Sequence, residues 1–445
     1  MSLFDPARLR EALAETEPLV VQGRIVRAAG LVLEAALPGA TMGAQCDILA
    51  AGGKVVPAEV VGFDGSTALL MPFAEAAGIG EGSAVIPRRD SSDLPVGPAL
   101  LGRVVDPSMR PLDGGPAPLL TSRVPLQAAP PPAMSRRRIS APLPLGIRAL
   151  DTFLTLGEGQ RLGILAGAGV GKSVLLGMLS RSAEVDVVVV GLVGERGREV
   201  REFVERDLGP EGRARSVVVV ATSDEPPLIR IRAAMAATAV AEHFRARGKR
   251  VLLLMDSLTR VAMAQREVGL AAGEPPTSKG YPPSVFAMMP RLLERAGNDA
   301  GEGSITAIYT VLAEGDDLTD PVVDTAKSIL DGHVVLSRKL AGAGHFPAID
   351  LLASVSRVMT EVASPRHLEL ATAARQLLSA HREAADLIEV GVYAQGTNPK
   401  VDRAIRVMPA LEGFLRQAPD ERTGLGESLT KLAGLLSTPG EPRHA

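Results

Sequence analysis

Along the first hundred residues, short apolar and β-branched runs alternate with Gly and Pro. They fall at 19–28, 30–37, 45–49, 55–62, 67–72 and 84–87. Short strands at such spacing predict a small barrel or sandwich. Ahead of them, Asp5 followed by Pro6 reads as a cap and first helical position. Leu9 and Leu13 then share one face, so 6–15 reads as a short amphipathic helix that packs on its own domain or docks a partner. Between 107 and 145 the chain is rich in Pro, including Pro130-Pro131-Pro132, which predicts an extended connection.

From 160 to 357 the pattern changes to near-continuous Val, Ile and Leu runs separated by helical segments. The runs are 161–166, 185–193, 217–221, 250–255, 304–311, 332–336 and 349–354. Such runs suit strands covered on both faces, and helices between them make a mainly parallel sheet the natural outcome. After Ser364-Pro365 the chain is helical to its end, with Leu425, Leu429, Leu432 and Leu436 on one face of the last helix. The expected division is an N-terminal helix at 1–18, a β domain at 19–90, an α/β domain at 91–363 with the Pro-rich lead-in, and a helical domain at 364–445.

A chain of 445 residues is long enough for two or three domains, and 46% hydrophobic residues allow a sizeable core. With 3% aromatics and no Trp, that core is aliphatic. The balance of 48 basic against 51 acidic residues provides no broad basic field for nucleic acid. Scarce aromatics also argue against base-stacking platforms. The single Cys46 cannot form an internal disulfide, fits a reducing compartment, and is expected in the core. The N-terminus lacks the basic start and apolar run of a secretory signal, and no run approaches the roughly 20 apolar residues of a membrane span. The protein is therefore expected in the cytoplasm. The six His are scattered without ligand spacing, so no zinc site is expected. Arg136-Arg137-Arg138 reads as a solvated basic strip in a linker, with anionic lipid or an acidic neighbour as the alternative.

The chemistry begins at the end of the first apolar run. Gly167-Ala168-Gly169-Val170-Gly171-Lys172-Ser173-Val174 joins a strand to a helix. Gly-rich backbone there lets amide N–H groups converge on phosphate oxygens, and the helix N-terminus adds partial positive charge. Lys172 can reach the β- and γ-phosphates, and Ser173 can offer its hydroxyl to Mg²⁺. The strict pattern has Gly where this chain has Ala166, a small residue that leaves the three downstream glycines in place. ATP and Mg²⁺ are the implied ligands.

Binding nucleotide does not activate water, so further groups are needed. The run 250–255 ends in Asp256, the form of a strand whose carboxylate orients the Mg²⁺ water shell beside Ser173. By itself that pattern also describes a helix cap; beside a phosphate-binding loop it gains meaning. Glu195 follows another buried run, at the strand end where open α/β sheets bind ligands. It can polarise the attacking water or simply favour the first turn of the next helix. Arg357 follows the run 349–354. It reads either as a surface Arg or as a guanidinium directed at a γ-phosphate across a subunit boundary.

With these residues in view, the chain resembles the type III secretion ATPases, and within them the flagellum-specific export ATPases. The resemblance spans about 23 to 406. It rests on Gly102-Arg-Val-Val-Asp-Pro-Ser-Met-Arg-Pro-Leu-Asp-Gly114, on 146–151, on Gly191-Leu-Val-Gly-Glu-Arg-Gly-Arg-Glu-Val200, on 273–284 and on 309–321. The family is similar to the catalytic beta subunit of rotary ATP synthases. The resemblance implies a P-loop NTPase (RecA-like) central domain, a small N-terminal β-barrel and a C-terminal helical domain, assembled as a homohexamer with ATP between subunits. Matched to the family motifs, Lys172 and Ser173 belong to the P-loop, Glu195 is the catalytic carboxylate, Arg196 lies beside the γ-phosphate, Asp256 orients Mg²⁺, and Arg357 is the finger lent to the neighbour. Tyr393 is a candidate beside the adenine, with a core position as the alternative. The implied work is release and unfolding of export substrates at the membrane export gate. Implied partners are a dimeric stator-like regulator on the N-terminal helix, a central coiled-coil stalk and chaperone–substrate complexes. The implied place is the cytoplasmic side of the inner-membrane export apparatus. Gly197 stands where the synthase beta subunit has Thr, and the synthase's long acidic C-terminal motif is not evident, which favours export over a synthase subunit. The virulence-type secretion ATPase shares the same motor motifs and stays open as an alternative.

Overall fold

The computed structural model describes residues 22–88, 93–313 and 319–437, and the short helix expected at 6–15 lies outside them. Two compact units emerge. In the first, strands Gly23–Ala29, Val32–Ala36, Gln45–Leu49, Val55–Asp64, Thr67–Pro72 and Ala84–Pro87 close into a barrel. Every pairing in it is antiparallel. Alternation sends Ile25, Leu33, Ile48, Val60, Leu70 and Val85 inward, all at most 2% exposed. Closure leaves no sheet edge within the barrel, which decides between the two expected all-β forms. Cys46 belongs to this core, and burial pushes its thiol up to about 12. It is a small packing residue and not a nucleophile.

The second unit holds the α/β sheet and the C-terminal helices together, so the regions separated in the sequence at 363/364 form one compact body. Its main sheet runs in the order Ile349–Ser356, Gly332–Leu336, Arg161–Ala166, Ser304–Leu312, Arg250–Asp256, Val187–Glu195, Ser216–Thr222, Val104–Val105. All neighbours along this path are parallel except the first pair. The Val and Leu runs are buried along nearly their whole length, because helices cover both faces.

This order has a direct consequence for chemistry. The strand that feeds the phosphate-binding loop does not touch the strand that ends in Asp256; Ser304–Leu312 lies between them. Leu192 is in register with Asp256, so Glu195 reaches farther along the same edge. Thus Ala166, Thr310, Asp256 and Glu195 come to one carboxyl edge of the sheet.

The Pro-rich lead-in is largely extended; within it Ser122–Pro125 pairs antiparallel with Asp93–Val96, Pro142–Leu143 pairs with Leu156–Gly157, and Ala133–Ser135 makes one 3₁₀ turn. The basic run inside it is partly solvated, with Arg137 and Arg138 exposed, but two of its members are tied down. Arg136 Nη2 donates to the Glu294 carbonyl at 2.8 Å and pairs with its carboxylate, and Arg137 Nη2 donates to the carbonyls of Glu302 and Gly303. These two side chains fasten an extended segment that has few apolar groups to hold it down. Helix Pro365–Glu389 starts as its sequence predicts, with the Ser364 side chain accepting from the His367 amide. Helices Pro399–Leu415 and Leu425–Leu436 pack beside it, with Leu411, Phe414 and Leu432 joining the core of the sheet unit.

Candidate active site

Strand Arg161–Ala166 ends in a turn that leads into helix Lys172–Ser182. Gly171, the residue before the helix, has φ of 87°, a conformation that excludes most side chains, and a Cβ there would sit 3.3 Å from the Phe346 ring. At the start of a helix the first amides lack intrahelical acceptors, so those of Lys172, Ser173 and Val174 are directed outward toward any anion.

The Lys172 ammonium lies 2.5 Å from Asp256 Oδ1 and 3.4 Å from Glu195 Oε1. Asp256 is buried, and its Oδ1 also accepts from the Thr310 hydroxyl at 2.6 Å. The intervening strand therefore supplies an anchor for the carboxylate. Burial disfavours the Lys172 ammonium, but Asp256 and Glu195 outweigh it and hold its pKa above the ordinary range. Glu195 moves the other way. Burial and then the charge of Asp256 raise its pKa, the direction that suits a base working near neutral pH. Glu199 is held low: its hydrogen bond with Glu195 and its contact with Arg196 overcome the cost of burial.

A cavity of about 650 Å³ joins these groups. Its wall includes the turn at 167–169, then 171–174, Gly194, Glu195, Arg196, Glu199 and Arg260; Asp256 stands behind it, reached through Lys172. Arg196 is mostly exposed and pairs with Glu199 at 3.0 Å. Arg260, one turn into helix Leu258–Ala271, is a further cation that the sequence reading did not single out. Its buried Nε finds no hydrogen-bond partner within the described residues. Gly194, at φ of 71°, makes room for it, since a Cβ there would meet Arg260 Cβ at 3.0 Å.

A second cavity, about 350 Å³ and largely apolar, lies beside the same turn and is lined by Gly169, Val174, Met178, Phe346, Gln417 and Pro419. Phe346 is 44% exposed, and an exposed ring here can stack on a planar base. Val170 lines this cavity too, and Ala168 lines the larger one. Tyr393 lines neither. Its hydroxyl hydrogen-bonds to the Asn398 carbonyl ahead of helix Pro399–Leu415 and to the Asp402 carboxylate in that helix's first turn, so Tyr393 does not stand at the apolar cavity, where the exposed ring is Phe346. Arg357 is likewise outside both cavities. It is exposed beyond strand Ile349–Ser356, with Nη2 directed at the Lys327 carbonyl at 3.4 Å.

The oxygens read from the sequence as cation donors are the Ser173 hydroxyl and the Asp256 carboxylate, with Glu195 and Glu199 as further carboxylates on the cavity wall. Among the described residues no cluster of three or more His, Cys, Asp or Glu could cage a metal. One carboxylate and one hydroxyl at a phosphate site is the donor set that suits Mg²⁺, which takes its remaining ligands from phosphate and water. Replacing Lys172 by Ala is expected to weaken MgATP binding about 10–100-fold, as loss of one or more charge-assisted contacts implies. Calorimetry checks this, and unchanged affinity contradicts the assignment.

Comparison with known proteins gives three family matches in chain order: the ATP synthase alpha/beta family beta-barrel domain over 25–89, the nucleotide-binding domain of the same family over 146–356, and the T3SS EscN ATPase C-terminal domain over 363–434. The flagellum-specific ATP synthase of Pseudomonas aeruginosa is 52% identical, with 96% of each chain covered. The type 3 secretion system ATPase of Xanthomonas euvesicatoria is 50% identical, with 93% of each covered. The structure of the assembled ATPase EscN from the enteropathogenic E. coli type III secretion system superposes with a TM-score of 0.89 at 44% identity, covering 93% of this chain and all of that one. The same ATPase in complex with its central stalk EscO gives 0.86 at 43%, with the same coverage.

Proposed function

Because the chain belongs to the flagellar and type III secretion ATPases of the ATP synthase alpha/beta family, and is an ATP-hydrolysing enzyme, we propose that it works as a hexameric ring motor for flagellar type III export, releasing and unfolding substrates at the export gate. The observation that carries the hydrolytic site is the meeting of Lys172, Glu195 and Asp256 at one sheet edge, beside the turn at 167–171.

In the proposed reaction the amides at the helix start and Lys172 hold the β- and γ-phosphates. Lys172 then exchanges its contact with Asp256 for phosphate oxygens. Asp256, anchored by Thr310, and Ser173 would hold Mg²⁺, which neutralises charge on the phosphates when bound. Glu195 takes a proton from the water whose oxygen attacks the γ-phosphorus, while the bond to the β–γ bridging oxygen breaks and ADP leaves. Arg260 and Arg196 face the same space and supply positive charge where negative charge gathers. Phe346 stacks on the base. Arg357, remote from its own cavity, serves the site of the next subunit. The solved assembly with a central stalk supports a ring around a coiled-coil partner for this chain also. Among the described residues no helix is long and apolar enough to cross a membrane, so contact with the export gate and with the inner membrane runs through partners. A dimeric regulator on residues 1–18 and chaperone–substrate complexes complete the proposed partners.

Expression in a cell deprived of its own flagellar export ATPase tests the biological role. The wild-type chain is expected to restore secretion of flagellar subunits and motility, and Glu195→Gln to restore neither. Rescue of a virulence secretion system without rescue of motility would move the assignment to the other branch of the family.

A further inference from the structure

The apolar cavity beside the phosphate-binding turn is closed on its outer side by residues that come from far along the chain. Gln417 and Pro419 sit in the connection between helices Pro399–Leu415 and Leu425–Leu436. That connection, Arg416-Gln-Ala-Pro-Asp-Glu-Arg-Thr-Gly424, is polar and has little apolar surface with which to hold itself against the sheet. Something else must keep it in place.

Arg148 does so. It begins the short helix Arg148–Phe153, ahead of the phosphate-binding strand, and is 5% exposed. All the acceptors of its guanidinium lie within 414–423. Nε donates to the Phe414 carbonyl at 2.6 Å, and Nη2 donates to the Arg416 carbonyl at 2.5 Å and to Glu421 Oε2 at 3.2 Å. Nη1 donates to Thr423 Oγ1 at 3.2 Å and pairs with Glu421 Oε1. The Arg148 amide donates to Gln417 Oε1 at 2.9 Å, while Gln417 Nε2 donates to the carbonyls of Gly146 and Glu421. The Gln417 amide donates to the Phe346 carbonyl at 2.9 Å, which ties the wall to the exposed ring on the other side of the cavity.

Two features separate this clamp from ordinary packing. First, the Gln417 side chain lines the cavity, yet its polar atoms are engaged by Arg148, Gly146 and Glu421, so its contribution to a ligand is where it stands. Second, the planar fork of a guanidinium can reach several carbonyls and a carboxylate at fixed angles, which an ammonium cannot. We infer that Arg148 is a positioning residue for nucleotide binding: it holds the segment 414–423 as the outer wall of the base-binding cavity without itself touching the ligand. This rests on the reading of that cavity as the place of the base, and it makes the affinity contributed by the base, but not that contributed by the phosphates, depend on Arg148.

The test compares MgATP with magnesium tripolyphosphate, which carries the phosphates without a base, on the full-length protein. In Arg148→Lys the Kd and KM for MgATP are expected to rise about tenfold, as loss of charge-assisted hydrogen bonds from a wall implies. Tripolyphosphate affinity and kcat at saturating ATP are expected to stay within about twofold, the latter because ground-state binding alone is lost. Glu421→Gln, whose side chain is 40% exposed, keeps the shape and removes the charge partner; it is expected to shift the same ratio in the same direction, by about threefold. It serves where Arg148→Lys fails to fold. Equal weakening of both ligands, or of neither, in the folded variants overturns the clamp. Lys172→Ala distinguishes that failure from failure of the site itself, because it weakens tripolyphosphate and MgATP alike, by about 10–100-fold, if the phosphate end is assigned correctly.

Discussion

Replacing Arg357 by Ala is expected to slow ATP turnover by about 10³–10⁵-fold while the nucleotide stays bound. The expectation follows from where the residue is and is not. Its guanidinium is exposed, directed toward the Lys327 carbonyl, and absent from the walls of the cavity that holds Lys172 and Glu195. Its loss therefore leaves the phosphate-binding turn of its own chain intact. As the proposed finger, Arg357 adds to the charge that Lys172, Arg196 and Arg260 supply within the chain, and it acts from the neighbouring subunit on charge that develops on the transferring phosphoryl group. Phosphate release from the assembled protein, with bound nucleotide measured in parallel, checks both halves. A complementary experiment mixes Arg357→Ala with Lys172→Ala subunits. A finger acting in trans leaves some mixed interfaces complete, so activity should exceed that of either variant alone, whereas a finger acting within its own chain gives no recovery.

The second large effect is at Glu195. Glu195→Gln keeps the size of the side chain and removes its ability to take a proton, so turnover is expected to fall by about 10²–10⁴-fold. Burial and Asp256 hold the Glu195 carboxyl above the usual range, so protonation begins at a higher pH than for an ordinary Glu. Activity that needs the ionised form is present above that raised pKa and lost as pH falls through it. The acid limb of kcat/KM in the wild type should accordingly lie above the ordinary Glu value of about 4.3, and the residual activity of Glu195→Gln should lack that limb. Equal phosphate release from the two proteins contradicts the assignment of the base.

The phosphate-binding turn was legible in the sequence because its whole chemistry is contiguous: strand, three glycines, Lys172 and Ser173 follow one another in a few residues. Asp256 and Glu195 were legible for a related reason, since each terminates a buried run and parallel strands bring their carboxyl ends to one edge. The apolar cavity proposed for the base had no such signal. Phe346 comes from the loop before an edge strand, Gln417 and Pro419 from a polar connection between helices, and only packing of the C-terminal helices on the sheet unit brings them together. Tyr393 was a candidate through the family resemblance alone, and no periodicity or run in the sequence around it locates its side chain relative to the phosphate-binding turn. Arg260 was within reach of sequence reasoning, since it lies four residues past Asp256 on the helix that follows the strand. Thr310 was not, because its role depends on one strand being inserted between two others. Arg136 and Arg137 show the converse: a basic run that reads as solvated is tied to backbone carbonyls and Glu294.

The central claim is that Lys172, Glu195 and Asp256 serve a single triphosphate. The most direct measurement is a structure of the assembled protein with MgADP and a planar mimic of the transferring phosphoryl group. The prediction is Lys172 on the mimic's oxygens, Glu195 one water away from its centre and on the side opposite ADP, Asp256 facing the magnesium water shell, and Arg357 of the adjoining subunit reaching the mimic. A mimic bound with the Glu195 carboxylate beyond reach of the attacking water in every subunit would contradict the account.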